Sequence, residues 1–441
     1  MKKNKYAKAI NMAEQVLMLA EEKFGEDHFF VTKALKTLAV LYHEQGEYVE
    51  AEACYKRLFD IKMKHYVKDD HPDLAGDLEN LAMLYHDQGR YADAKPLYKR
   101  ALDIKVKFFG EYHHDVGTSL ARLAMLYHDQ GRYADAEPLY KQALAIQIRS
   151  FGKDHIYVTG YMNNIAVLYH DQGRYADAEP LYKRVLKIRK KRLDRGHPDI
   201  GTSLNNLAGF YVDQGRYADA EPLYEKALDI KINAFGANHP DVAGIMNNIG
   251  LLYYKECKYD KVEVYFKRAL GISERYFGDD HPHVATSLNN LAGLYHMQGK
   301  YAKSEEYYKL SLEINKKALG DDCSDVAICL NNIGMLYHDQ GRYADAEGLY
   351  KRALDMRTRS LGKDHADVAV SLNNLAAVYV DQGRYSEAEN NYKQALAICE
   401  KCFGKDNNNV ADILWNMAEL YGKIGRNNEA EKLIERAAKI N

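Results

Sequence analysis

The chain has 441 residues, of which 61 are basic and 63 acidic, and its formal net charge is −2. This balance provides no overall field to attract nucleic acid or an anionic membrane, so we expect neither nucleic-acid binding nor membrane insertion. The six cysteines follow no framework of paired spacings and no segment reaches the 18 apolar residues of a membrane span, which predicts a cytoplasmic protein with reduced thiols.

A 42-residue period runs through most of the chain. The string YHDQGRYADAE recurs intact from Tyr127, Tyr169 and Tyr337. A fixed period of this length indicates a stacked array of one structural unit. The residues that mark the phase follow the loop between units and are His71, His113, His155, His197, His239, His281, Cys323, His365 and Asn407.

Each unit has the pattern of two amphipathic helices. In the fifth unit, the apolar residues between Ile200 and Tyr211 fall on one helical face and predict a first helix. The turn Gln214-Gly215-Arg216 ends this helix, and the apolar residues between Ala220 and Phe235 predict a second helix. Each unit is therefore predicted to be a helical hairpin.

The N-terminal segment matches only the second half of this unit. Residues 6–28 align with the second helix of the third unit, Tyr133 to His155. We therefore expect residues 1–28 to form half a repeat that caps the array. Residues 29–441 are expected to form ten helical hairpins in one continuous solenoid.

The pattern L-N-N-L-A-x-L-Y, followed by G-x-Y-x-x-A-x-x-x-Y-x-x-A-L, resembles the tetratricopeptide motif along the whole chain. The 42-residue length, the His-Pro-Asp start and the segment HPHVATSLNNLAGLYHMQGKYAKSEEYY from His281 are similar to kinesin light chain repeats in particular. The resemblance implies an all-α, right-handed superhelical solenoid of antiparallel helix pairs. It also implies a scaffold or adaptor that binds a peptide or protein segment in its concave groove. Kinesin light chains hold their motor through a heptad coiled coil, and this chain has no such pattern.

One stripe of each first helix lies opposite the apolar stripe and is predicted to line the groove. Its most uniform member is the second asparagine of the Leu-Asn-Asn motif. In peptide-binding tetratricopeptide proteins a matching asparagine bonds the main chain of the ligand, and the resemblance implies the same here. The alternative is that each asparagine tethers neighbouring helices. The predicted groove asparagines are Asn80, Asn164, Asn206, Asn248, Asn290, Asn332, Asn374 and Asn416.

Basic residues interrupt this row of asparagines in the first and third units, and we include Lys36 and Arg122 among the predicted groove residues. Together with Asn80 they match three of the five positions of the carboxylate clamp by which chaperone adaptors hold a peptide C-terminus. Val40 and Thr118 occupy the two positions that do not match. The hypotheses are therefore carboxylate capture and a pair of solvated cations.

A histidine and an aspartate recur near the ends of the first helices. We expect the first helices of successive units to lie on the order of 20 Å apart, too far to share a metal ion, so the interpretation is solvated helix ends and no metal site. The sequence contains no Gly-rich phosphate loop and no nucleophile with its base, so we expect no enzymatic activity and no cofactor. A ligand-sensing repeat array of a larger signalling protein is the alternative function.

Overall fold

The computed structural model describes residues 3–66 and 71–440, which form 21 α-helices joined by short turns. No strand occurs within these two ranges, so the predicted all-α class is confirmed. The helices are α1 Lys3–Phe24, α2 Phe29–Glu44, α3 Tyr48–His65, α4 Pro72–Asp87, α5 Tyr91–Phe109, α6 His114–Asp129, α7 Tyr133–Phe151, α8 Val158–Asp171, α9 Tyr175–Arg192, α10 Pro198–Asp213, α11 Tyr217–Phe235, α12 Pro240–Lys255, α13 Tyr259–Phe277, α14 Pro282–Met297, α15 Tyr301–Leu319, α16 Ser324–Asp339, α17 Tyr343–Leu361, α18 Ala366–Asp381, α19 Tyr385–Phe403, α20 Asn408–Lys423 and α21 Asn427–Ala438.

The helices after α1 associate as consecutive antiparallel pairs that stack into a solenoid. We number these pairs units 1 to 10, so that unit 1 is α2 with α3 and unit 10 is α20 with α21. Each second helix also packs on the first helix of the next unit. Small residues allow this approach, since Ala124 and Ala136 are fully buried beside the ring of Tyr140 in unit 3.

The first helices begin at residues whose side chains cap the helix. Nδ1 of His71 accepts a hydrogen bond from the backbone N–H of Asp73 at 3.3 Å, and Pro72 occupies the first helical position. Proline is favourable there because the N–H that it lacks would have no partner within the helix. The phase-marking histidines other than His155 are therefore helix N-caps, which explains why they recur with the period. His155 accepts from the backbone of Tyr157 in the same way, but α8 begins only after Tyr157.

The turn within each hairpin explains the string YHDQGRYADAE. Arg90, in the turn of unit 2, stacks over the ring of Tyr85 at 4.1 Å, and both side chains bond Glu52 of unit 1. The Tyr85 hydroxyl donates to Glu52 at 2.9 Å and the Arg90 guanidinium donates at 2.7 Å. Tyrosine, arginine and glutamate thus recur together because they join adjacent units.

The solenoid coils far enough to meet itself. A Cβ added at Gly131, in the turn of unit 3, would lie 2.6 Å from the His365 ring, which caps α18 of unit 9. These residues are 234 positions apart, so one superhelical turn takes between five and six units. Units 1 to 4 consequently lie against units 7 to 10.

Candidate peptide-binding groove

The predicted groove asparagines form bonds between the first helices of successive units. Nδ2 of Asn206 donates to Oδ1 of Asn163 in the preceding unit at 3.0 Å. The tether interpretation of these residues therefore has a direct counterpart in the structure. An amide carries two donor hydrogens and an acceptor oxygen, so one tether leaves capacity for a ligand. The equivalent pairs are Asn248 with Asn205, Asn332 with Asn289, Asn374 with Asn331 and Asn416 with Asn373, at 2.9 to 3.0 Å.

The other three predicted asparagines lie in the same row with different neighbours. The tether position opposite Asn80 is Lys36, and the one opposite Asn164 is Ala121, which has no polar side chain. Asn290 lies opposite Asn247, whose amide donates instead to Ser287 at 3.4 Å. All three are partly buried.

Arg122 forms an ionic version of the asparagine tether. It occupies the second position of the motif in unit 3, and its guanidinium donates at 2.9 Å to Glu79, which occupies the first position in unit 2. Glu79 is buried and also accepts from Lys105 at 2.7 Å and from the hydroxyl of Ser119. Arg122 is therefore held by a carboxylate of its own chain.

Lys36 is paired in a similar way. Its ammonium group lies 3.1 Å from Oδ1 of buried Asp77, whose other carboxylate oxygen lies 2.5 Å from Lys62. Both cations of the carboxylate-clamp hypothesis, Lys36 and Arg122, thus have counterions within the chain. The two carboxylates, Asp77 and Glu79, also contact Lys62 and Lys105, so they face four cations in all. The clamp stays a prediction: replacing Arg122 with Asn should abolish binding of acidic peptides if it is correct.

The histidines and aspartates near the ends of the first helices also bond across units. Nε2 of His86 lies 2.7 Å from Oδ2 of Asp129, although the two residues belong to different first helices. Our expectation that successive first helices lie about 20 Å apart is therefore wrong, because their facing side chains touch. The equivalent pairs are His43 with Asp87, His128 with Asp171, His170 with Asp213, His296 with Asp339 and His338 with Asp381.

A cluster that offers metal-ligand atoms lies outside the groove, at the start of α6. His113, His114 and Asp115 each place one such atom within 4.8 Å of the others. Nδ1 of His113 already accepts a hydrogen bond from the backbone of Asp115 at 3.3 Å. This contact is the same helix cap found in the other units, and nothing further at the cluster indicates a metal.

A hollow of about 320 Å³ opens in the groove between units 4 and 6. Gly209 lines it, exposed Leu251 and half-buried Val167 contribute apolar surface, and Asn206 and Asn248 also lie at its wall. Amide groups at the wall of an apolar depression suit a peptide that bonds through its main chain and buries one side chain.

The hollow was not predicted from the sequence, although a signal for it exists. The position of Gly209 is occupied by methionine in three other units, at Met83, Met125 and Met335. A change from a long side chain to none removes volume from the groove lining at that point. Gly293 of unit 7 shares the glycine, so comparison of this single position would have narrowed the hollow to two units.

The edge of the hollow carries a charged cluster. Asp213 bonds His170 of unit 4 and Lys255 of unit 6, both at 3.2 Å. The hydrogen bond from His170, followed by the charge and hydrogen bond of Lys255, lowers the pKa of the Asp213 carboxyl. This aspartate consequently stays ionised and holds three units together at the edge of the groove.

These features define a helical-repeat protein in which stacked hairpins present a continuous inner surface. A tetratricopeptide repeat model matches the sequence at residues 1–64, 73–148, 115–191, 199–275, 241–317, 283–359, 325–401 and 367–441. The chain belongs to the tetratricopeptide repeat family, which confirms the resemblance seen in the sequence. It is a repeat scaffold of the type that serves protein interactions.

Several solved structures are similar to this chain. BtubC (BKLC) from P. vanneervenii is 26% identical, with a TM-score of 0.43, over 52% of this chain and 92% of that one. A chain of kinesin-light-chain TPR-like repeats from Podosopora anserina is 23% identical, with a TM-score of 0.39, over 46% and 97%. A Rap protein in complex with competence and sporulation factor is 17% identical, with a TM-score of 0.54, over 85% and 99%. Among curated proteins, none matches this sequence.

The helices were also compared with the length and hydropathy that a membrane span requires. None of those in the described ranges is both long and apolar enough to cross a bilayer. This result agrees with the sequence, in which no long apolar run occurs.

Proposed function

We propose that this chain is a protein-interaction scaffold whose concave groove holds an extended segment of a partner protein. The observation that carries the proposal is the hollow at Gly209 with Asn206 and Asn248 at its wall. The ligand main chain would bond the amide groups of these asparagines, and one apolar side chain of the ligand would occupy the hollow. Six unpaired cysteines support a location in the reducing cytoplasm.

The structure suggests why this part of the groove is favoured over the N-terminal part. The cations of units 1 to 3 have counterions within the chain, as described for Lys36 and Arg122. Around Gly209, by contrast, the amide groups keep bonding capacity and apolar surface is open to solvent. A neutral, partly apolar peptide therefore fits this part better than an acidic one.

The first experiment is an affinity pull-down from lysate with quantitative mass spectrometry. The native chain is compared with a variant in which Asn164, Asn206, Asn248 and Asn290 are all replaced with Ala. We expect partners that bind the groove to be depleted at least tenfold, while circular dichroism stays unchanged. If the same partners remain at equal abundance, the predicted groove residues are wrong.

A matched substitution separates ligand binding from tethering. Asn206→Ala removes the groove amide, whereas Asn163→Ala removes only the tether acceptor for that amide. A binding role predicts a larger loss of partner for Asn206→Ala than for Asn163→Ala. Equal losses would mean that Asn206 acts through the fold alone.

The hollow is tested by filling it. Gly209→Met introduces the residue that three other units already have at this position, so the helix tolerates it. We expect this variant to lose partners that place a side chain in the hollow. Ala377→Met, at the same position of unit 9, is the control and should leave those partners bound.

A further inference from the structure

The coil contacts itself along a seam that repeats with the units. The turns of units 1 to 4 lie against the helix caps of units 7 to 10, and we call these four contacts the seam. A Cβ added at Gly46 would lie 3.2 Å from the His281 ring, and one at Gly173 would lie 2.9 Å from the Asn407 amide. At Gly89 the facing atoms are Ser324 N at 3.5 Å and Cys323 Cα at 4.0 Å.

Equivalent positions elsewhere in the chain lack this contact. A Cβ at Gly215, Gly299 or Gly341 would meet nothing within 4 Å. The caps differ in the same way, since the His365 side chain is 11% exposed in the seam, whereas those of His71 and His197 are 41% and 40% exposed. The seam therefore buries positions that are open in other units.

Helices meet end to end across the seam. The His281 ring lies beside the backbone of Glu44, the last residue of α2, while its Nδ1 accepts a hydrogen bond from the backbone of His283 at the start of α14. The His365 ring lies beside the backbone of Asp129, the last residue of α6, in the same manner. Each histidine thus joins the C-terminal end of one first helix to the N-terminal end of another, an arrangement in which the helix dipoles attract.

Apolar contacts reinforce these junctions. Leu361, at the end of α17, belongs to the buried cluster that runs through units 1 to 7, and it lines one pocket together with Tyr133 of unit 3. Tyr48, at the start of α3, packs on the apolar cluster around Cys323 and Leu319 of units 7 and 8. The two coils are consequently joined by packing at the helix ends and at these apolar side chains.

We propose that the seam closes the groove into a channel that admits an extended peptide segment and excludes a folded domain. The walls are first helices spaced about 10 Å apart, so five to six of them per turn form a ring roughly 18 Å across between opposite helix axes. The helices themselves are about 10–12 Å wide, which leaves a bore on the order of 6–8 Å. An extended segment fits this bore, whereas a helix of about 10–12 Å is wider than it. A 100-residue domain has a radius of gyration of about 13 Å and does not fit. The inference specifies the partner class of the proposed function and rests on it.

The first test asks whether the seam exists in solution. Gly89→Cys places a thiol beside native Cys323, because the introduced Cβ would lie 4.0 Å from the Cys323 Cα. The two Cα atoms are therefore at most about 5.5 Å apart, within the Cα–Cα range of disulfides. A cysteine is tolerated in this turn because Cys257 already occupies the equivalent position of unit 6 with a φ of 59°. We expect mild oxidation to join the introduced thiol to Cys323 in a disulfide detectable by mass spectrometry. Gly341→Cys, which has no such neighbour, is the control, and absence of the Gly89→Cys bridge would overturn the seam.

The second test measures size exclusion directly. Asn206→Cys introduces a groove thiol, and Glu225→Cys introduces one on the exposed face of α11. Each is treated with N-ethylmaleimide and with a maleimide attached to a folded domain of about 100 residues. We expect the domain reagent to be at least tenfold slower, relative to N-ethylmaleimide, at the groove thiol than at the outer thiol. If the ratio of the domain-reagent rate to the N-ethylmaleimide rate were the same at the two thiols, the channel proposal would be wrong.

A third test asks whether the seam is what excludes a folded domain from the groove. Gly131→Arg should force the coils apart because its side chain enters the space of His365, and it should restore reaction of the groove thiol with the domain reagent. Gly299→Arg carries the same backbone strain with no facing residue and should restore nothing. These measurements use no peptide ligand, so they fail or succeed independently of the proposed groove binding.

Discussion

At the scale of single residues, Cys257 is under backbone strain. It has a φ of 59°, a left-handed conformation that glycine adopts at the same turn in the other units. Such a conformation costs roughly 1–2 kcal/mol for a residue with a Cβ. We expect Cys257→Gly to raise the free energy of unfolding by about 1 kcal/mol in denaturant titrations. Cys257→Ala keeps the Cβ and should give no gain, so an equal gain from both variants would refute the strain.

Glu79 is a second residue with an outsized effect on stability. It is buried and holds Lys105 and Arg122, so Glu79→Gln leaves two cations without their carboxylate. Loss of one partner of a buried ion pair costs about 3 kcal/mol. We expect a corresponding fall in unfolding free energy by denaturant titration, against a change within about 0.5 kcal/mol for exposed Glu225→Gln.

Individual residues differ in how well the sequence predicts their role. The row of groove asparagines follows from the period, because each unit repeats the same helical face. The partner of Arg122 could not be predicted this way, since Glu79 lies in another unit and departs from the asparagine consensus. Periodicity predicts which face a side chain occupies, but the choice of partner depends on how two adjacent units are rotated.

At the scale of helices, the cap of α14 makes the seam sensitive to pH. Burial, together with the charge of His283, lowers the pKa of His281 from about 6.5 to about 3. The closed seam therefore favours the neutral ring. Its contribution is fully present above pH 6.5 and is lost as the pH falls from 6.5 towards 3. The acidic and basic groups around His281 are His283 on its own helix, Glu44 on α2, Glu47 before α3, Glu50 on α3, Asp279 and Asp280 in the preceding loop, Lys317 on α15 and Asp325 on α16.

Small-angle scattering would detect this transition. We expect the maximum dimension to increase between pH 7.5 and pH 5, because protonation of His281 and His365 opens the contacts. His281→Asn combined with His365→Asn should remove the increase, since Asn407 shows that asparagine caps a first helix at the seam. His197→Asn, at an exposed cap, should leave it intact. A maximum dimension independent of pH in the native chain would contradict the prediction.

At the scale of the whole molecule, the seam couples regions that a simple solenoid leaves independent. Units in a linear array interact with their neighbours alone, so local opening normally spreads along the chain. Here we expect Gly131→Arg to reduce amide-exchange protection in units 3 and 9 together, although they are separated by five intervening units. Gly215→Arg should affect units 4 to 6 only. If Gly131→Arg reduced amide-exchange protection in unit 3 alone, the seam would not couple the opening of unit 3 to that of unit 9.

The overall architecture could be predicted from the sequence, whereas its closure could not. The helix pairs follow from apolar spacing and from the turn at Gly131 and its equivalents. The seam depends on the small rotation between successive units, which accumulates over 234 residues before Gly131 reaches His365. The sequence of a single unit does not reveal the total rotation accumulated over several units. The contact between Gly131 and His365 is therefore visible only in the three-dimensional structure.

Every seam contact joins one unit to the unit six places later along the chain. This constant spacing determines what happens to the seam when a unit is duplicated. Each tether joins positions 43 residues apart, as from Asn163 to Asn206, so insertion of a whole unit recreates every tether. An inserted unit also supplies one more turn and one more cap, which adds a fifth seam contact to the present four. The number of units thus sets the number of seam contacts, and no new kind of residue is needed. Slippage between near-identical repeats in the gene would add or remove one unit, and with it one seam contact, at a time.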